Sequence, residues 1–425
     1  MGITGVVLVS VGCAGAHRPK VSLPKDEPPK DGPAKIEPPL PALPSPSDED
    51  WPMFRDDVER SGFAEGSSVG AFVEVQWTMP AFNTTEYGAA KGSPSVVGDM
   101  LYCGTDTGRF IAARISDGAI VWQLQLGKTS HGIHGSPAIV GDVGYIGAYD
   151  GTLYAIERRS GLLLWRHNLG YQVGSSPAVV PQWGTVFSSH EESPNGGGFV
   201  VALDARTGRE LWRRHTLAHP HSSVAVDVQR RIVFVGDNRG VLYAFDSESG
   251  RELWRREIDR ADGKADIKTT PTVIPDLGEV VFGAWSGKVH ALDEASGRTV
   301  WEHDTGGRIM GSTAYLPSTR TVFAGSPRGA LYAIDAVDGG TRWTYQVGAR
   351  IMSSPAVSGD GRAVVFGAGN GNLYAASAAT GDPLWDIRLG GDVSGSPTLV
   401  GTQIYVTTKK GGLWALTTHD APPSE

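Results

Sequence analysis

Asp204-Ala-Arg-Thr-Gly-Arg-Glu-Leu-Trp212 decides the fold, because it is one copy of a unit that the chain repeats eight times. Trp recurs at Trp77, Trp122, Trp165, Trp212, Trp254, Trp301, Trp343 and Trp385, at intervals of 45, 43, 47, 42, 47, 42 and 42 residues. Asp246-Ser-Glu-Ser-Gly and Asp293-Glu-Ala-Ser-Gly repeat the turn, each reaching its Trp four residues after the Gly. Self-similarity at a period of roughly 40–50 residues marks propeller blades, each a small antiparallel sheet.

Two further marks accompany the Trp, the first of them also eight times. The first is a Ser-Pro-like pair before an apolar run: Ser93-Pro94, Ser136-Pro137, Ser176-Pro177, Thr270-Pro271, Ser354-Pro355 and Ser396-Pro397, with Ser223-Val224 and Ser312-Thr313 as degenerate copies. The second is a Leu-Tyr-Ala strand, clear at Leu153, Leu242, Leu331 and Leu373 and varied at Leu413-Trp414-Ala415. Within one unit, Ser136–Val140 reads as the first strand and Val143–Tyr149 as the second. Asp150-Gly151 is a hairpin turn that needs positive φ, Thr152–Ile156 is the third strand, and Leu162–Arg166 is the fourth. A Trp fixed on every outer strand implies a repeated packing role. Burying ~150–250 Å² of indole is worth at most about 4–6 kcal/mol per blade.

The phase predicts how the ring closes. Trp77 precedes the first Ser-Pro unit, and no outer-strand Trp follows the unit that begins at Ser396. The strand around Trp77 should therefore complete the last sheet and remove its open edge. The expectation is an all-β, eight-bladed propeller over residues 51–418, with a short disordered tail at 419–425.

Glycine is abundant (57 residues) and the charged fraction is 20%, which suits short strands joined by tight turns. The net charge of −8 lacks the basic footprint of nucleic-acid binders. Two cysteines, Cys13 and Cys103, make no disulfide framework, and Cys103 reads as a small buried residue in a strand. Residues 3–12 form an apolar run too short to span a bilayer, ending at Cys13 among small residues. Residues 1–13 thus resemble a lipoprotein signal peptide with Cys13 as the lipidated position. No Lys or Arg precedes the run, and Ser10 stands where such signals usually carry Leu or Val. The alternative is an unprocessed tail with a chance cysteine. Residues 14–50 follow as a Pro-rich tether that buries too little apolar surface to fold.

The turn-plus-Trp pattern, with the leading Trp51-Pro-Met-Phe-Arg-Asp-Asp and Ser61-Gly62, resembles the tryptophan-docking repeat of quinoprotein-type propellers. The resemblance covers about residues 51–418 and implies two kinds of function. One branch comprises enzymes that oxidise alcohols or sugars with pyrroloquinoline quinone and calcium, and its alcohol dehydrogenases carry an adjacent cysteine pair. The other is non-enzymatic and includes the lipoprotein B subunit of the outer-membrane β-barrel assembly machinery. This chain has no adjacent cysteines and no insertion long enough to build a lid. The resemblance therefore implies a monomeric, lipid-anchored scaffold facing the periplasm at the outer membrane. Its partner would be a protein, such as an outer-membrane assembly component, with no cofactor and no metal. Ala14 after Cys13 is not the Asp associated with inner-membrane retention.

One constellation is expected to carry binding. Three residues before each Pro position stand Lys91, His134, Gly174, His221, Lys268, Met310, Met352 and Ser394. Two residues earlier, on the same strand face, are His219, Asp266, Arg308, Arg350 and Asp392. These positions encircle one mouth of a propeller channel. Lys91, His134, His221, Lys268, Arg308 and Arg350 would form an electropositive funnel for an anionic ligand or an acidic peptide. The competing reading is a solvated rim of random charges. A metal among His131, His134, His219 and His221 finds no carboxylate to complete the set. Asp259, Asp262 and Asp266 read as an acidic loop, since their spacing is wrong for a calcium loop. His190-Glu191-Glu192 marks an enlarged hairpin in the third unit and a possible contact.

Overall fold

The computed structural model describes residues 47, 50–80, 82–84, 92–127, 132–192, 196–259, 263–409 and 411–421. Cys13, Lys91, His131 and Asp262 lie outside these residues, as do the apolar run at 3–12 and nearly all of the Pro-rich stretch.

Eight sheets follow one another along the chain; seven have four antiparallel strands in sequence order from the inside outward, Phe63–Ala64 adds a short parallel strand to the inner edge of blade 7, and blade 8 takes its outermost strand from Phe72–Met79. Blade 2 shows the pattern, with Ala138–Val140 innermost, then Val143–Ala148, Thr152–Glu157 and Leu163–Asn168. Its first strand begins two residues later than expected, because Ser136 and Pro137 do other work. The two middle strands are sandwiched by neighbouring blades on both faces and read as continuous apolar runs, whereas outer strands alternate. The ring closes as the repeat phase predicts. Phe72–Met79 pairs antiparallel with Leu413–His419, placing Trp77 opposite Ala415 and completing blade 8.

The recurring residues now have physical roles. Each of the eight tryptophans donates its indole N–H to a backbone carbonyl of the next blade at 2.7–3.1 Å, from Trp77 to Ile115 round to Trp385 to Gly70. A β-bulge beside each Trp turns it toward that neighbour, as between Ala202 and Leu203 opposite Trp212. The ring lies on the turn glycine: Gly208 has φ +71°, and a Cβ there would sit 2.6 Å from Trp165 Cε3. Gly is required there for both the left-handed backbone and the close approach.

The Ser-Pro mark is a belt. Seven amide-to-hydroxyl hydrogen bonds of 2.8–3.1 Å run from Ser93 through Ser136, Ser176, Ser223, Thr270, Ser312 and Ser354 to Ser396. Ser223-Val224 and Ser312-Thr313 lose the proline but keep the hydroxyl, which is the part the belt uses.

Residues 51–68 form a strap across the far ends of the innermost strands. Carbonyls of Trp51, Pro52, Val58, Glu59, Ser61 and Gly62 accept hydrogen bonds at 2.7–2.8 Å from Val96, Ile139, Val226, Val273, Tyr315 and Val357, one each in blades 1, 2, 4, 5, 6 and 7. Ser68 N donates to Gly401 O of blade 8 at 2.9 Å. Arg60, fully buried, donates to the carbonyls of Val224 (2.9 Å), Pro177 (3.0 Å) and Phe54 (2.6 Å). Arg55, also buried, donates to Thr313 O at 2.7 Å and to Pro355 O. Burial pulls both guanidinium groups below their ordinary value, Arg60 to about 10 and Arg55 to about 9, so both stay charged at neutral pH. The strap seals one end of the channel.

Candidate functional site at the open channel mouth

The strap leaves the opposite end, where the inner strands begin, as the channel's open mouth. A cavity of 270 Å³ there is lined by His134, Tyr149, Gly174, Ser175, Ser189, Glu191, Pro220, His221, Lys268 and Met310. Three expected funnel residues, His134, His221 and Lys268, thus share one cavity. Arg308 stands beside them through Trp285: its guanidinium carbon lies 5.3 Å from the Trp285 ring centroid and Lys268 Nζ lies 4.0 Å from it. Arg350 is turned to another task, with Nη2 2.7 Å from Asp392 Oδ2.

Sequence reasoning missed the carboxylate at the centre. Glu191 ends a strand, Thr185–Glu191, that is lengthened in blade 3 and paired with Gly198–Asp204. This is the enlarged hairpin anticipated from its sequence. His221 Nε2 lies 3.1 Å from Glu191 Oε1 and His219 Nδ1 3.4 Å from Oε2. Burial alone would raise the Glu191 pKa. The His221 hydrogen bond and the histidine charges outweigh it and hold the carboxyl below its ordinary value. Asn238 Nδ2 lies 3.1 Å from His221 Nδ1, so the His221 ring is held between Asn238 and Glu191. The histidine side of the mouth therefore carries a compensating negative charge. The preceding His190 is a core residue, fully buried and stacked on Phe199, and burial depresses its pKa well below the ordinary value.

The other side of the mouth keeps its positive charge. Trp285 donates its N–H to Met310 Sδ at 2.8 Å, which fixes the ring. Lys264 Nζ lies 5.8 Å from its centroid, making a third cation around one indole. Lys268 is drawn below its ordinary pKa by burial, against the pull of Asp266, whose carboxylate lies 3.6 Å away. Tyr149 in blade 2 and Trp285 in blade 5 occupy the same place in the hairpin between the second and third strands. Asp106, Asn238, Pro327, Gly369 and Lys409 hold it elsewhere. The repeat fixes the frame around this position and leaves the position itself free, a signal that comparing the copies with one another would have exposed.

Among the described residues no group of three His, Cys, Asp or Glu side chains is arranged to hold a metal ion. Glu191 is engaged by two histidines, and Cys103 is buried in the strand Met100–Gly104.

A family model described as outer membrane protein assembly factor BamB matches residues 67–191, 149–315, 285–365 and 355–422, together well over half of the chain. The chain belongs to that family. BamB from Moraxella catarrhalis superimposes with a TM-score of 0.63 at 17% identity, over 81% of this chain and 100% of that one. Quinohemoprotein alcohol dehydrogenase from Comamonas testosteroni gives 0.71 at 15% identity, over 89% of this chain and 82% of that one. A europium-containing methanol dehydrogenase gives 0.75 at 14%, over 87% and 98%. At these identities the likenesses show a shared propeller and nothing finer. No curated protein sequence matches the chain.

Proposed function

We propose that this BamB-family protein is a non-catalytic scaffold of the cell envelope, anchored by a lipid on Cys13 at the outer membrane and facing the periplasm. It binds a partner protein through the loops at its open mouth. One observation carries the reading: the strap crosses one end of the channel, and the open end bears side chains outside the repeat, with no ligand set for a divalent ion among the described residues. A mouth of this kind suits recognition better than metal-assisted chemistry.

Affinity purification of the full chain from membranes tests the scaffold, with one co-eluting protein recovered in stoichiometric amount as the expected result. Cys13→Ala should move the protein to the soluble fraction, and unchanged fractionation would remove the anchor from the account. Calorimetric titration with pyrroloquinoline quinone plus calcium, beside a dye-linked dehydrogenase assay, tests the competing reading of a quinone-dependent dehydrogenase or a quinone-binding sensor. Saturable binding with turnover would replace the scaffold by a dehydrogenase.

A further inference from the structure

We propose that the Trp285 side of the mouth is a carboxylate-binding site, and that it takes an acidic segment of a partner protein. The proposal rests on the scaffold reading and adds the partner's chemistry.

The charge balance is the first argument. The chain is acidic overall, at −8, yet Lys264, Lys268 and Arg308 converge on one indole. Asp266 lies 3.6 Å from Lys268, and among the described residues no carboxylate lies within 4 Å of Lys264 or Arg308. Among the described residues, two positive charges are thus held close together with no carboxylate in contact, an arrangement that supplies an attractive field to an incoming anion. An indole can draw cations to its face, but it does not neutralise them.

The second argument is preorganisation. Trp285 is fixed by its bond to Met310, and Met310 and Lys268 both line the cavity. Carboxylates approaching the cations would meet an oriented ring with an apolar flank, and Lys268 joins that surface to the cavity. The cavity, at 270 Å³, is slightly under the ~300–1,000 Å³ of small-molecule pockets and suits one or two side chains of an extended segment. Glu191, opposite, rejects a second carboxylate on the histidine side and so sets the direction in which an acidic segment lies.

The third argument is contrast with the neighbouring arginine. Arg350, in the equivalent place one blade further on, is neutralised by Asp392 at 2.7 Å. Of the two described funnel arginines, only Arg308 therefore adds to the positive charge around Trp285.

The test uses purified full-length protein and three peptides: hexaglutamate with an amidated C-terminus, a Ser/Ala hexamer with a free C-terminal carboxylate, and the same hexamer amidated. Binding of hexaglutamate by calorimetry at low salt, with weaker binding at physiological ionic strength, is the expected result. Lys264→Glu with Arg308→Glu should weaken it about tenfold or more. Binding of only the free-carboxylate hexamer would reassign the site to a chain terminus and overturn the acidic-segment proposal. Hexaglutamate that fails to bind, or binds the double variant as tightly as the parent, would also overturn it. Lys264→Gln with Arg308→Gln is the second variant should the reversal fail to fold, and it should lose affinity by a smaller factor. If the double variant still recovers the membrane partner in full while the peptides fail, the scaffold stands and the carboxylate site falls.

Discussion

The two ends of the channel are made by opposite means. At the sealed end the strap meets the blades with the same carbonyl-to-amide bond at 2.7–2.8 Å in blade after blade, and two buried arginines give their protons to backbone carbonyls alone. At the open end the equivalent hairpin position is Asp106, Tyr149, Asn238, Trp285, Pro327, Gly369 or Lys409, and three cations gather around Trp285. Repetition at one end and divergence at the other separate what holds the ring together from what the ring presents. The sealed end should therefore answer to substitution in stability, and the mouth in binding.

The largest effect is expected at the strap. Arg60→Met leaves three carbonyls without their charged donor, and should cost on the order of 3–5 kcal/mol in urea unfolding. A loss under about 1 kcal/mol would mean that the strap is ornamental to closure. Trp212→Ala comes next. Its ring is 6% exposed, so about 3–5 kcal/mol should go, whereas Trp212→Phe should lose about 1 kcal/mol with its bond to Ser247 O.

A third prediction concerns pH. Glu294 is fully buried against Asp227, with Arg230 Nη1 3.4 Å away. Burial, and then the contact with Asp227, raises its pKa to about 9 from an ordinary 4.5. Because the folded state holds this proton more tightly than the unfolded one, its contribution is complete below the ordinary value and is lost as pH rises toward 9. Glu294→Gln should therefore gain on the parent between pH 5 and 8.5, by up to about 1.4 kcal/mol per pH unit. A gap that stays constant across this range would contradict the assignment. The smallest stability effect belongs to the mouth. Arg308→Glu should leave the unfolding free energy within about 0.5 kcal/mol of the parent while it slows association.

The repeat made most of the frame legible, and the reason is physical. Trp212, Gly208 and Ser223 recur because every blade must dock on the next, and a demand made eight times shows as a pattern in one sequence. Closure by Phe72–Met79 could be read from the displaced Trp77 for the same reason. Glu191 could not, because its approach to His219 and His221 depends on a hairpin lengthened in blade 3 alone. The turning of Arg350 onto Asp392 was equally hidden, since the strand-face pattern places both at the mouth but does not say which neighbour each will meet. Trp285 is the instructive miss: it is a Trp outside the docking series, at the hairpin position where the copies disagree.

The account's central claim is that the mouth recognises and the strap supports. Recovery of the membrane partner by Lys264→Glu with Arg308→Glu, measured beside its thermal unfolding, tests this most directly. The claim predicts partner recovery reduced about tenfold at an unchanged melting temperature. Full recovery at the parent's level by a folded variant would contradict it.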